Sequence, residues 1–171
     1  MRGMSELFNA HGWKVVMEPA TLPDGRVKNV ARVGRADSVH ILAFPTNETI
    51  LVLREYRPYY ADHVWMLPGG RADKETDITI AAHRELQEET GFRANHLELS
   101  STTNHSESLM MSNHIFIATD LIHDPLKQDD DEMIEVHEFS LAEALDHILT
   151  SPIVHTPSAY ALLRYMRENN F

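Results

Sequence analysis

Cysteine is absent from this 171-residue chain, which excludes disulfides, thiolate nucleophiles and Cys-based zinc or iron–sulfur sites. Long apolar runs are also missing: no stretch approaches the ~20 residues that a membrane span needs. No apolar run follows Met1-Arg2-Gly3-Met4-Ser5-Glu6 in the manner of a secretory leader. A cytoplasmic protein with no membrane contact is therefore expected. Cations are scarce, 15 Lys and Arg against 26 Asp and Glu, for a formal net charge of −11. That balance argues against a nucleic-acid partner, whose phosphate backbone calls for clustered Lys and Arg. The 11 histidines are scattered and lack the i, i+4 pairing of a His-rich zinc helix. No internal repeat is visible. The length suits one domain, 1–171, with a core that needs no staples.

What is present is concentrated in Arg84-Glu85-Leu86-Gln87-Glu88-Glu89-Thr90-Gly91-Phe92. Glu85, Glu88 and Glu89 fall at i, i+3 and i+4, together on one helix face, which is expected to be the solvent side. Hard carboxylate oxygens at that spacing suit Mg²⁺, with Mn²⁺ a possible substitute. Arg84 lies one turn before Glu88, in ion-pair range, and would orient a carboxylate rather than touch substrate. Glu85 and Glu89, one turn apart, can hold a shared metal cluster that Glu88 completes. Such ions would also neutralise carboxylates, so that an acidic chain could accept an anionic ligand.

Around this helix, predicted over 77–90, the pattern alternates strands and turns. Strands are expected at 13–17, 27–33, 38–44, 49–56, 65–67, 97–100, 114–119 and 133–139, with a hairpin turn at Asp24-Gly25. Leu67-Pro68-Gly69-Gly70 is a tight-turn signal. Leu141, Ala144, Leu145 and Ile148 form one helical stripe, and Ala159, Leu162, Leu163 and Met166 another, both expected to face the core. Strands flanked by helices indicate an α/β sandwich.

The nine residues from Arg84, with the glycine turn before them, resemble the Nudix box, and the chain resembles a Nudix hydrolase. The box spans 70–92. The resemblance implies the Nudix fold: mixed β-sheets sandwiched between α-helices, here with an N-terminal β-strand extension. It implies that Glu85, Glu88 and Glu89 bind divalent ions, Glu89 as the central ligand, and that the Gly69 carbonyl is a further ligand. One position departs from the pattern. The box calls for a glutamate eight residues before the arginine, where this chain has Thr76, with Glu75 one residue early. A one-residue bulge would bring Glu75 into that role. The favoured reading is that Thr76 or Asp77 caps the helix.

Within the superfamily the chain is most similar to the ADP-ribose pyrophosphatase and nucleoside diphosphate sugar hydrolase group. That likeness rests on Leu53-Arg54-Glu55-Tyr56-Arg57-Pro58, the box, and the acidic run Asp129 to Glu132 ahead of Ile134-Glu135-Val136. It implies that Arg57, otherwise a surface salt-bridge residue, contacts the diphosphate; Arg54 and Trp65 are the further substrate-binding candidates. Trp65, like Trp13, either stacks on a nucleobase or belongs to the core. It also implies a general base in the acidic run, Glu132 first and Asp130 second, and a homodimer formed through 1–45. The expected reaction is Mg²⁺-dependent hydrolysis of ADP-ribose to AMP and ribose 5-phosphate. The segment Asn104-His105-Ser106-Glu107-Ser108-Leu109-Met110-Met111 lacks the proline usual there in ADP-ribose enzymes. GDP-mannose, another nucleoside diphosphate-X compound or a nucleoside polyphosphate is therefore the alternative substrate, and a non-catalytic nucleotide-sugar sensor the alternative role.

Overall fold

The computed structural model describes residues 4–104, 106–128 and 132–171. The chain opens with an antiparallel meander of β1 (Ser5–Ala10), β2 (Trp13–Thr21) and β3 (Val27–Gly34). The second reversal falls at Asp24-Gly25 as expected, with the Gly25 N–H donating to the Leu22 carbonyl at 2.9 Å. β1 lies outside the sequence expectation. Its residues, Ser-Glu-Leu-Phe-Asn-Ala, include no β-branched side chain, so pairing with β2 rather than propensity makes it a strand.

Two further sheets build the body. β4 (Ser38–Ala43) runs parallel to β8 (Ser112–His123), which pairs antiparallel with β7 (Phe92–Asn104). β5 (Thr49–Arg57) is central between β6 (Asp62–Met66) and β9 (Ile134–Ser140), antiparallel to both. β4 is buried on both faces and reads as nearly continuous apolar sequence. Val39, Ile41 and Ala43 pack with Ala81, Ala82 and Leu86 of α1 (Ile78–Thr90). Leu42 instead joins Ile50, Val52 and Leu67 against α2 (Leu141–Leu149) and α3 (Thr156–Glu168). Strand alternation puts Ser38 and His40 on the Leu42 side, which matters for the site below.

The helices start and stop on recognisable signals. Asp77 is the N-cap of α1, accepting the Thr79 N–H at 2.8 Å, and Gly91 closes the helix in the left-handed conformation. Ser140 and Glu143 form a reciprocal capping box on α2. The buried face of α3 is rotated from the expected stripe: Ser158, Ala159, Ala161 and Leu162 are inside, while Leu163 is 50% exposed. Helices on both sides of mixed sheets make the α/β sandwich that the sequence implied. Among the described residues no helix is long and apolar enough to cross a membrane.

Candidate active site

The box glutamates are not on a solvated face. Glu85 is 8% and Glu89 7% exposed, because the Pro68-Gly69-Gly70 segment lies across that side of α1. Its backbone is tied to β4, Ile41 donating to the Pro68 carbonyl at 2.8 Å and Val39 to the Gly70 carbonyl at 2.9 Å. Only glycine permits this approach. Gly69 has φ +151°, and a Cβ there would collide with the Val39 carbonyl, while one at Gly70 would collide with the Glu85 carboxylate. The Gly69 N–H donates to Glu89 Oε2 at 2.7 Å and fixes the direction of that carboxylate.

Arg84 organises the other acids. Its guanidinium meets Glu75 at 2.5 Å, Glu85 at 2.9 Å and Glu88 at 2.6 Å. Burial opposes its charge, but the hydrogen bonds it donates to Glu75 and Glu88 prevail and raise its pKa above the usual arginine value. Asp77 caps the helix as favoured, and Glu75, one residue early, also comes to Arg84. Glu88 is turned to Arg84 and does not line the cavity beside Glu85 and Glu89.

That cavity is about 610 Å³. Glu85, Glu89, Glu132 and Glu55 lie on its acidic side. Arg57, Arg35, Arg71 and Lys74 contribute positive charge to the same lining. Burial, with repulsion from Glu88 and Glu132 and against attraction by Arg84, pushes the Glu85 carboxyl up to about 7. Burial drives Glu89 well above the carboxylate range, with Glu85, Glu132 and Glu55 adding to it. Glu55 is raised for the same first reason, and Arg57 opposes the rise.

Glu55 was not singled out in the sequence. It is 7% exposed and holds the Arg57 guanidinium at 2.7 Å, while Arg57 also reaches Met66 Sδ at 3.3 Å. The signal that could have found it is strand parity, since Glu55 and Arg57 share one face of β5. Arg54 is on the other face, paired with Glu135 at 3.0 Å and 6.0 Å from the Trp65 ring centroid. Trp65 itself packs against Phe139 and His147, so neither Arg54 nor Trp65 lines the cavity of a single chain. Trp13 lies under the Arg35 guanidinium at 4.8 Å. Asp130, the second candidate base, lies outside the described residues. Of the segment 104–111, Met111 lines the cavity, and Met110 is tied to the Val33 carbonyl at 2.7 Å.

The donors suit a hard divalent cation: all are oxygens, and the buried carboxylates are held in mutual repulsion that a cation would relieve. Glu85, Glu89 and the Gly69 carbonyl are the groups with which such an ion would be held. Among the described residues, no three acidic or histidine side chains already converge into a closed coordination set.

Within the α/β sandwich, carboxylates and cations thus face one cavity. The NUDIX domain family matches residues 34–159, and the chain belongs to that family; it is a Nudix hydrolase. It is 24% identical over 163 residues to the ADP-ribose pyrophosphatase of Bacillus subtilis (strain 168), covering 92% of this chain and 86% of that protein. It is 23% identical to the methanol dehydrogenase activator of Bacillus methanolicus, with the same coverage. A crystal structure of an ADP compounds hydrolase superposes with a TM-score of 0.78 at 21% identity, covering 98% of this chain and 94% of that one, and supports the fold.

Proposed function

We propose that the protein hydrolyses the diphosphate linkage of a nucleoside diphosphate sugar with Mg²⁺, ADP-ribose to AMP and ribose 5-phosphate being the first candidate. The observation that carries this reading is the pairing, in one cavity, of buried Glu85 and Glu89 with the cationic groups of Arg57 and Lys74. The names of the similar ADP-ribose pyrophosphatase and ADP compounds hydrolase support the substrate class. GDP-mannose and other nucleoside diphosphate-X compounds are the alternatives. A sensor role fits less well, because Glu85 and Glu89 both face the cavity.

Magnesium, when bound, supplies charge neutralisation for the diphosphate and polarises the attacking water. The chain's own groups do the rest. Glu89, aimed by the Gly69 N–H, and Glu85, aimed by Arg84, would hold the ion with the Gly69 carbonyl. Glu88 and Glu75 act through Arg84, which they keep in place. Arg57, steadied by Glu55, binds the diphosphate oxygens. Glu132 accepts the proton of the attacking water, its carboxylate lying on the cavity lining with Glu85 and Glu89.

The test is product analysis with Mg²⁺ or Mn²⁺ on ADP-ribose, GDP-mannose, UDP-glucose, NADH, dinucleoside polyphosphates and nucleoside triphosphates. AMP and ribose 5-phosphate are expected from ADP-ribose. No turnover of any of these compounds with either ion would sink the enzyme reading.

A further inference from the structure

Arg35 and Arg71 form a second cationic group on the cavity lining. The chain after Gly70 is sewn along the start of β4. Arg71 pairs with Ser38, which lines the cavity with His40, and the Ala72 N–H donates to the Asp37 carbonyl at 2.9 Å. This pairing brings Arg71 and Asp73 within electrostatic range of Arg35, the residue that follows β3. Arg71 Nη1 meets the Asp73 carboxylate at 3.4 Å. The Arg35 guanidinium lies over the Trp13 ring, 4.8 Å from its centroid. Among the described residues Arg35 has neither a hydrogen bond nor an ion pair from that guanidinium.

Two guanidiniums against one carboxylate leave this group of three net positive, in a chain whose formal net charge is −11. Burial, and then the charge of Arg71, hold Arg35 below the ordinary arginine value, against a weaker pull from Asp73. Like charges are thus kept together at a partly buried place with too little counter-charge. Stacking on Trp13 holds the Arg35 guanidinium by its face and leaves the N–H groups along its edge for a ligand. The charges that act most on Glu55, Glu85 and Glu89 include Arg57 and Arg84 but neither Arg35 nor Arg71. The cation pair therefore stands away from the acids, and a cavity of about 610 Å³ has room for a nucleotide-sized ligand that reaches both. A phosphomonoester fits two guanidiniums, with a charge of about −1.5 to −2 near neutral pH and three terminal oxygens for bidentate contacts. The diphosphate itself is required at the acidic side, by Glu85 and Glu89. Trp13 is still 41% exposed, an aromatic surface that suits the nucleoside end of a substrate better than the sugar end.

Resting on the proposed hydrolase reading, we infer that Arg35 and Arg71 form a second anion subsite, which takes a phosphomonoester carried on the nucleoside half of the substrate in addition to its diphosphate. Arg35 is the specificity-determining residue of the pair, since it has no ion pair to give up, whereas Arg71 is shared with Asp73. A site built around such a cation discriminates against an analogue that lacks the anion, because the guanidinium is then left uncompensated.

Two measurements test this. Calorimetry in chelator, without reference to turnover, compares AMP with adenosine 2′,5′-bisphosphate and adenosine 3′,5′-bisphosphate. Wild-type protein should bind at least one bisphosphate roughly tenfold or more tighter than AMP. The preference should collapse in Arg35→Gln and fall in Arg71→Gln. Steady-state rates with Mg²⁺ then compare ADP-ribose with ADP-ribose carrying the extra phosphate at the favoured position. The ratio of kcat/KM for the phosphorylated over the plain substrate should exceed one in the wild type and drop in both variants, through KM. Equal wild-type affinity for AMP and both bisphosphates, or an unchanged preference in an Arg35→Gln protein that melts normally, overturns the inference. Equal losses of affinity for AMP and the bisphosphates overturn it too, since the pair would then serve the phosphate that all three share. No turnover with the calorimetric preference intact would sink the hydrolase reading while leaving the anion subsite standing. Should Arg35→Gln fail to fold, Arg71→Gln decides the matter, its side chain being 56% exposed.

Discussion

Three carboxylates share the single guanidinium of Arg84, and all four side chains are mostly shielded from water. Removing one member of such a cluster leaves uncompensated charge in a poorly solvated place. Arg84→Met should therefore cost about 3–5 kcal/mol in chemical denaturation. Arg84→Lys should recover less than half of that, because an ammonium cannot address three carboxylates with a planar fork. Full recovery by lysine would show that only charge matters there. Glu89 makes the complementary case, being a buried acid that is costly to ionise. Glu89→Gln should lower turnover at least about a hundredfold, and should raise the melting temperature of cation-free protein. Unaltered activity would mean that the cation is held elsewhere. The Glu85, Glu88 and Glu89 spacing was legible in the sequence, but the burial of Glu85 and Glu89 was not. Burial depends on the Pro68-Gly69-Gly70 segment crossing α1, a tertiary contact with no local signature.

Elements whose residues carry their own punctuation were the readable ones. The ends of α1 follow from Asp77 and Gly91, and the Asp24-Gly25 reversal from its turn residues. β1 was hidden, since Ser5–Ala10 becomes a strand only through β2. β5 is the more instructive strand. Alternation along Arg54-Glu55-Tyr56-Arg57 assigns Glu55 and Arg57 to one face and Arg54 to the other, so Arg54 and Glu55 could have exchanged places in the expected site. The start of α1 offers a test of two roles that the sequence merged. Asp77→Ala removes an N-cap and should cost about 1 kcal/mol with turnover retained. Glu75→Ala takes a carboxylate from Arg84 and should lower turnover while the cap stays intact. If the cap variant lost turnover and the Glu75 variant kept it, the assignment of Glu75 to the site would be wrong.

At the scale of the whole molecule, a net charge of −11 is combined with buried acids on one cavity wall, and the two together set how stability depends on pH. Glu85 is raised to about 7 and Glu89 well above its ordinary value of 4.5, in each case first by burial. A raised folded-state pKa means that the native protein binds more protons than the unfolded chain between about 4.5 and 7. Stability from these groups is therefore fully present below about pH 4.5 and is lost as pH rises through 7, up to about 3 kcal/mol for Glu85 alone. Exposed acids such as Glu135, held below the usual range by its hydrogen bond from Arg54, give the opposite slope at lower pH. Cation-free protein should thus melt at a higher temperature at pH 5 than at pH 8. On the proposed function magnesium should reverse this trend, because it would bind the ionised carboxylates and stabilise the native state by mass action. Calorimetric scans at both pH values, in chelator and in excess Mg²⁺, check the argument. The Mg²⁺-induced rise in melting temperature should be clearly larger at pH 8; an equal rise at both, or none, would place the cation away from Glu85 and Glu89.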